Sequence, residues 1–273
     1  MKRVAVAGSF DDLRSSHVRF LHEASRHGEL WVWLWSDAVA AAVDGRPPKF
    51  PEPERRYMLE AIRYVDRLVP VVQQADPDAL PQVDTWEPDI WMVPHAEDSV
   101  AKRAFCASAG IEYVVVPDDR LVGFPVPAVK RWERPTPRKK VIVTGCYDWL
   151  HSGHVRFFEE AAELGDVYVA VGNDESVRHL KEEGHPLLGE AERLYMVQSI
   201  RYVTQAVLTK GIGWMDAAPN VAEIRPDIYV VNEDGDKPEK RAFCAERGLE
   251  YVVLKRKPKE GLSPRSSTRL RGF

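Results

Sequence analysis

The sequence predicts an α/β protein built from two tandem domains, each a mainly parallel sheet with helices on both faces. The first observation is a duplication, because RAFCASAGIEYVVV at 103–116 returns as RAFCAERGLEYVVL at 241–254. This repeat has the period of a whole domain rather than that of a solenoid unit. The second observation is that short β-branched runs alternate with helical patterns in each copy. Nearly continuous apolar strands separated by helices are typical of a parallel sheet buried on both faces.

The second copy shows this alternation element by element. Short runs rich in Val, Ile and Tyr predict strands, and amphipathic stretches predict helices. The strands fall at 140–143, 167–171, 206–209, 228–231 and 251–254, and the helices at 155–164, 190–203, before Pro226 and at 239–247. Parallel strands joined by right-handed crossovers form a Rossmann-like sandwich. Its ligand crevice lies at the carboxyl ends of the strands.

The domain boundaries follow from the repeat. The first copy spans 1–117 and the second copy spans 139–273. Residues 118–138 between them contain several prolines and no helical periodicity. Proline fixes φ and removes a backbone donor, so we expect this segment to be a semi-rigid linker.

Composition narrows the class of function. Of the 273 residues, 44% are apolar and 29% are charged, as in soluble globular proteins. The formal net charge of −4 argues against a nucleic-acid partner, which usually requires a basic surface. No apolar run reaches the length of a membrane helix, and MKRVAVAGSF has no signal-peptide core. The few cysteines (Cys106, Cys146 and Cys244) predict reduced thiols and a cytoplasmic location.

The loop GCYDWLHSGH at 145–154 carries the strongest functional signal. It follows the first strand of the second copy and leads into a helix, and helix N-termini attract phosphate groups. His151 and His154 are three residues apart, so they share one side of the first turn and can both donate to a phosphate oxygen. Gly153 between them would let a flat ligand group approach the backbone. Ordinary surface histidines, or two ligands of a zinc site that lacks its other ligands, remain alternatives.

This loop and a late RSSTRLR segment at 265–271 give the sequence a family resemblance. The chain resembles the nucleotidylyltransferase superfamily with HxGH signatures, and within it the cytidylyltransferase-like family. The tandem layout is similar to that of phosphoethanolamine cytidylyltransferases, and the second copy also resembles glycerol-3-phosphate cytidylyltransferases. The resemblance implies transfer of CMP from CTP to a small phosphate or phosphonate monoester, with release of pyrophosphate and Mg²⁺ on the phosphates. ATP-dependent adenylyl transfer to a sugar phosphate, and a non-catalytic nucleotide-binding regulator, remain alternatives.

The resemblance also assigns roles to residues. It implies four catalytic side chains, ten nucleotide-binding residues and no metal-ligating residue of the chain itself. The catalytic set is His151, His154, Lys181 and Arg193, and the nucleotide-binding set is Gly145, Cys146, Tyr147, Gly153, Gly172, Asp174, Arg201, Ser266, Ser267 and Thr268. Solvated or salt-bridged surface roles remain alternatives for Lys181, Arg193 and Arg201. The late motif departs from the family pattern because extra residues precede Ser266.

The first copy has lost much of this pattern. Arg14 stands where the second copy has His151, Ser16 where it has Gly153, and Trp35 where it has Gly172. A tryptophan at the last position would fill space that a base needs. We therefore expect a degenerate, non-catalytic domain that serves the second copy as an intramolecular pseudo-dimer partner, with a homodimer as the alternative.

Overall fold

The computed structural model describes residues 1–73, 76–81, 87–181 and 183–266. The chain divides into two compact units, Met1–Gly123 and Phe124–Phe273, which we call the first and second unit. Each is an α/β sandwich around a five-stranded parallel sheet, which confirms the predicted fold class.

The first unit has its sheet in the order β3-β2-β1-β4-β5. The strands are β1 Arg3–Gly8, β2 Glu29–Trp35, β3 Arg67–Val71, β4 Ile90–Pro94 and β5 Glu112–Val116. The helices are α1 Ser15–Ser25, α2 Asp37–Asp44, α3 Glu52–Glu60 and α4 Val100–Ala109. The chain therefore adds β2 and β3 on one side of the central β1 and then β4 and β5 on its other side.

The second unit repeats this topology with the order β10-β9-β6-β7-β8. The strands are β6 Lys140–Gly145, β7 Asp166–Val171, β8 Val203–Leu208, β9 Ile228–Asn232 and β10 Glu250–Leu254. The helices are α5 Ser152–Leu164, α6 Asp174–Leu180, α7 Glu190–Gln198, α8 Ala218–Ile224 and α9 Pro238–Glu246. The strand order reverses between β6 and β9, and ligands bind beside such a reversal in open α/β sheets.

The core of the second unit follows from its apolar strands. Val141, Ile142 and Val143 in β6 are fully buried, as expected for a central strand covered on both faces. On one face Ile142 packs in a cluster with residues of α8 and α9, including Ile224 and Phe243. This packing fixes the carboxyl end of β6, where the histidine loop begins.

Two elements differ from the sequence prediction. The helix predicted over 190–203 ends at Gln198, and Val203 already begins β8. The Gln198 side chain accepts a hydrogen bond from the Ala206 backbone N–H at 2.9 Å, which ties the helix end to the strand. Helix α6 was not predicted, because seven residues are too few to show a helical period. It begins at an Asn173 cap, whose side chain accepts from the Ser176 N–H at 2.7 Å.

The second half of the proline-rich segment lies against the sheet of the second unit. Trp132 is buried in the same cluster as Ile142 and Tyr168. The Gln205 side chain accepts from the Arg131 N–H at 2.7 Å and donates to the Val129 carbonyl at 2.6 Å. Residues 124–138 therefore belong structurally to the second unit.

Within the described ranges, the structure contains no helix both long and apolar enough to cross a membrane.

Candidate active site

The histidine loop joins β6 to α5 at the carboxyl edge of the second sheet. His151 is the N-cap of α5, and its Nδ1 accepts a hydrogen bond from the Gly153 N–H at 3.1 Å. The rings of His151 and His154 stack with their centroids 3.9 Å apart and an interplanar angle of 24°. The structure thus brings the two predicted histidines together at a helix N-terminus.

Gly153 lies in close contact with the His151 ring, which the sequence alone did not reveal. A Cβ on this residue would lie 3.0 Å from Cε1 and 3.1 Å from Nδ1 of His151. The imidazole of His151 therefore occupies the space that the missing side chain leaves. The first unit has Ser16 here and Arg14 in place of His151, so both members of this contact are changed together.

Both imidazoles are held in the neutral form. Burial, with the charges of Arg256 and Arg265, lowers the pKa of His151 to about 4. Burial also lowers the pKa of His154 well below its usual value, and the charges of His151, Arg256 and Lys181 act in the same direction. Each ring is thus uncharged near pH 7 and can donate one hydrogen bond.

Each histidine also has one buried nitrogen without a hydrogen-bond partner in the described part of the chain. These atoms are His151 Nε2 and His154 Nδ1. Because His151 Nδ1 is an acceptor, we infer that the proton of this ring is on Nε2. A buried donor that lacks a partner is costly, and a ligand oxygen would satisfy it.

Tyr147 and Gly145 pack together beside the His154 ring. Tyr147 has φ +51° and is buried, and its ring makes an edge contact with His154 at 5.2 Å between centroids. A Cβ on Gly145 would come within 2.8 Å of the tyrosine ring. Burial raises the pKa of the Tyr147 hydroxyl, so it stays protonated. This arrangement supports a positioning role for Tyr147 behind the His154 ring.

Arg193 is fully buried and connects three segments. Its guanidinium donates to the Cys146 carbonyl at 2.6 Å, the Leu188 carbonyl at 2.9 Å and the Asp174 carboxylate at 2.7 Å. These contacts hold the start of the histidine loop against α6 and α7. Cys146 participates through its carbonyl, and burial raises the pKa of its thiol.

The first unit makes the same set of contacts through Arg55. Its guanidinium donates to the carbonyls of Ser9 and Phe50 and to the Asp37 carboxylate. This unit lacks the histidine pair, so the buried arginine does not depend on a catalytic site. The contacts favour a positioning role for Arg193 over the direct catalytic role suggested by the resemblance.

Other predicted site residues lie at varying distances from the histidines. Gly172 donates its N–H to the Gly145 carbonyl at 2.9 Å, beside the loop. Lys181 is exposed at the end of α6, and its positive charge contributes to lowering the pKa of His154. Arg201 is exposed in the turn after α7 and does not line the cavities described below. Ser266 lines the larger of these cavities, whereas Ser267 and Thr268 lie outside the described residues.

Two adjoining cavities open beside the histidine pair. The smaller, about 150 Å³, is lined by the loop and by four polar residues that the sequence analysis did not assign: Asn232, Asp234, Lys240 and Arg256. The larger, about 280 Å³, shares Gly153 and Arg256 with it and is lined further by Lys255, Lys257 and Arg265. Of the described residues, six cationic side chains and two carboxylates, those of Asp234 and Glu160, line the two cavities, and this excess of positive charge suits a polyphosphate ligand.

The sequence did contain a signal for part of the cationic lining of these cavities. The run Lys255–Arg256–Lys257 directly follows the last strand, at the sheet edge where ligands bind. Arg256 donates to the Asp234 carboxylate at 2.6 Å and to the Arg265 carbonyl at 3.3 Å. These bonds hold its guanidinium beside the histidine loop.

The described residues offer no chelating site for a metal ion. Among them, no group of three or more His, Cys, Asp or Glu side chains is arranged to hold one. The cavity wall is rich in donors and cations, so it fits phosphate oxygens rather than a bare cation. A Mg²⁺ ion in this site would have to be held mainly by the oxygens of a bound nucleotide.

The fold and the loop define the class of protein, a nucleotidyltransferase with a histidine pair at a helix N-terminus. Comparison with family models gives the family: the model described as "Cytidylyltransferase-like" matches residues 5–144 and 142–273. The chain therefore belongs to the cytidylyltransferase-like family in both halves, and the predicted resemblance is confirmed.

Curated relatives support this membership. A protein named FAD synthase from Aciduliprofundum boonei is 38% identical over 133 residues, which are 48% of this chain and 85% of that protein. A FAD synthase from Methanocella paludicola is 35% identical over 119 residues, 42% of this chain and 81% of that protein. A solved lipopolysaccharide core biosynthesis protein from Thermoplasma volcanium is 25% identical, with a TM-score of 0.38, over 45% of this chain and 98% of that one. The two FAD synthases thus match a little under half of the tandem chain.

Proposed function

We propose that the second unit transfers AMP from ATP to the phosphate of a small phosphomonoester, with FMN as the first acceptor to test. In this reaction an acceptor phosphate oxygen attacks the α-phosphorus of ATP. The bond from the α-phosphorus to its bridging oxygen breaks, and pyrophosphate leaves. The choice of ATP and FMN rests on the relatives named FAD synthase, since FAD is the product of joining AMP to FMN. It replaces CTP, the donor expected from the sequence, as our first proposal.

The observation that carries this proposal is the stacked, neutral histidine pair at the start of α5. The buried His151 Nε2 has no partner among the described residues, and the His151 residue lines a cavity together with His154 and Arg256. A fixed donor in a site from which water is excluded stabilises charge that develops on phosphate oxygens during displacement. The helix N-terminus adds a favourable dipole at the same place.

The remaining residues divide into charge donors and positioning groups. Arg256 and Lys181 would provide positive charge near the phosphates, because both already influence the pKa of His154. Arg193 would position the loop through Cys146, and Tyr147 would support the His154 ring. Since no covalent intermediate is needed, alignment and charge stabilisation would supply the rate. Mg²⁺ carried by the nucleotide would neutralise part of the phosphate charge.

We propose that the first unit does not catalyse. Arg14, which replaces His151, donates to the Asp12 carboxylate at 2.7 Å, and Lys49 lies 3.3 Å from the same carboxylate. These two cations beside the loop that follows β1 are thus paired within the first unit. Trp35 also stands where the second unit keeps Gly172.

A second candidate is CMP transfer from CTP to a small phosphate or phosphonate monoester. The family description and the tandem layout favour it. The difference between ATP and CTP depends on a few hydrogen bonds to the base. A non-catalytic nucleotide sensor is the third alternative, and the intact histidine pair argues against it. For all three candidates the proposed location is the cytoplasm.

The test is pyrophosphate release by the full chain with ATP, CTP, GTP and UTP, each against FMN and a panel of small phosphomonoesters. We expect ATP with FMN to give the highest kcat/KM, and His154→Ala to lower it by about 10²-fold or more. Turnover only with CTP would support the second candidate. If no pair exceeds the rate of His154→Ala, the enzyme proposal is wrong. Nucleotide binding by calorimetry without turnover would then favour a sensor.

A further inference from the structure

Lys240 is a buried lysine that lines the smaller cavity with the histidine pair. It lies in the first turn of α9, and only 9% of its surface is exposed. Within the described ranges its ammonium group forms no hydrogen bond and no ion pair within 4.0 Å. The family resemblance gave this residue no role.

Three effects make this position unfavourable for a cation. Burial lowers the pKa of Lys240 below its usual value, and the charge of Lys237 adds to this effect. The positive end of the α9 dipole also lies in the first turn, where it disfavours a positive charge. The carboxylates of Asp216 and Asp234 partly compensate. Each already accepts a hydrogen bond from another group, Asp216 from the Ser176 hydroxyl at 2.7 Å and Asp234 from the Arg256 guanidinium at 2.6 Å. An anion in the cavity would offset all three effects.

The first unit contains the matching lysine in a different state. Lys102 directly precedes the first RAFC segment, as Lys240 directly precedes the second. The Lys102 ammonium donates to the Glu97 carbonyl at 2.9 Å and lies 5.8 Å from the centre of the Trp91 ring. The unit without the histidine pair thus satisfies its lysine internally, and the unit with the pair has its lysine among the residues that line the cavity.

We propose that Lys240 binds an anionic phosphate oxygen in the active site of the second unit, from the α9 side of the cavity. This inference rests on the proposed nucleotidyl transfer. An ammonium group has three donors and no acceptor, so an anionic oxygen is its natural partner. The phosphate could belong to the nucleotide or to the acceptor. The shared cavity with His151 and Arg256 favours the nucleotide.

The test compares Lys240→Met and Lys240→Arg with wild type in the full chain. The matched control is Arg241→Met, which removes the neighbouring cation, an exposed residue paired with Asp236. Thermal unfolding without ligand is measured first. Dissociation constants are then measured separately for α,β-methylene-ATP and for FMN, followed by kcat and KM.

We expect Lys240→Met to unfold at the same temperature as wild type or higher, because a buried unpaired charge is removed. Its affinity for α,β-methylene-ATP should fall by about 10-fold or more, and kcat by about 10²-fold. Lys240→Arg should recover part of both, and Arg241→Met should stay within about twofold of wild type. If FMN binding is weakened instead, the phosphate site is supported but belongs to the acceptor.

Unchanged binding of both probes and unchanged kcat in Lys240→Met would overturn the inference. The same holds if this variant is destabilised while its ligand affinities match wild type, since Lys240 would then be a structural residue. These outcomes leave the proposed function intact if wild type turns over substrate. A wild-type chain that binds no nucleotide would contradict both proposals.

Discussion

At the scale of single residues, the site depends on contacts between pairs. The His151 ring lies over Gly153, and the Tyr147 ring lies over Gly145. The histidine pattern was predictable because its spacing is local and places both rings on one side of a helix turn. Arg256 and Lys240 were not assigned, because they reach the loop through the sheet order and not through a nearby pattern in the sequence.

Replacing Gly153 with alanine should lower the activity of the enzyme without lowering its stability much. The added Cβ would displace the His151 ring, so kcat should fall by about 10-fold or more. Alanine is also the better helix former by about 1 kcal/mol, so the unfolding temperature should not fall much. Steady-state kinetics and thermal unfolding of the same preparation measure both. Ser16→Ala, the matching site in the first unit, is the control and should leave kcat unchanged.

The histidine pair should make folding sensitive to acid. Folding lowers the pKa of His151 from 6.5 to about 4, so the folded chain binds this proton more weakly than the unfolded chain. The associated stability is present above pH 6.5 and is lost as pH falls through about 4. His151→Asn, which keeps an N-cap side chain, should reduce the slope of unfolding free energy against pH in this window. An unchanged slope in urea titrations would show that His151 is not buried in its neutral form.

At the scale of elements, one arginine and one aspartate in each unit stabilise the loop that follows its first strand. Arg193 and Arg55 bind matching carbonyls and carboxylates. Asp148 accepts from the Leu187 and Leu188 N–H groups, as Asp11 accepts from those of Lys49 and Phe50: matched pairs of contacts that persist without the histidine pair. The sheets were predictable from apolar runs, whereas α6 and the end of α7 depend on side-chain contacts that no periodicity reveals.

Arg193→Met should therefore destabilise the second unit. It would leave two carbonyls and the Asp174 carboxylate without their donor, at a cost of about 3 kcal/mol. The loop would also shift, so kcat should fall even where the unit remains folded. Arg55→Met is the matched control, with a similar loss of stability in the first unit and little loss of kcat at a temperature at which both units are folded. Full activity in folded Arg193→Met would contradict the positioning role.

At the scale of the whole molecule, the tandem repeat predicted the number of domains but not how the intervening segment packs. Prolines and missing periodicity indicated a linker over 118–138. In the structure, Trp132 instead enters the core of the second unit, and Gln205 bonds to the backbone on either side of Lys130. Composition alone cannot distinguish a free linker from a segment that packs against a domain, because both can be rich in proline.

A fragment of residues 124–273 should be more stable than one of residues 139–273. The shorter fragment loses the buried Trp132 and the two Gln205 hydrogen bonds, a loss of about 3 kcal/mol or more. Urea unfolding of the two fragments measures the difference. Equal midpoints and slopes would show that residues 124–138 contribute nothing to the stability of the second unit.

The same longer fragment tests the role of the first unit. We propose that the first unit serves as a built-in partner, so the fragment of residues 124–273 should fold but show lower kcat/KM than the full chain. Adding the separately purified first unit is the control and should restore part of the activity. Full activity of the fragment alone would refute the pseudo-dimer proposal.

The central claim is that His151 and His154 hold the phosphates of a nucleoside triphosphate during displacement. The most direct measurement is a crystal structure of the full chain with α,β-methylene-ATP and Mg²⁺. We expect an α-phosphate oxygen within about 2.7–3.1 Å of His151 Nε2, with both rings still stacked. A nucleotide bound elsewhere, or a phosphate chain that contacts neither imidazole, would contradict the claim.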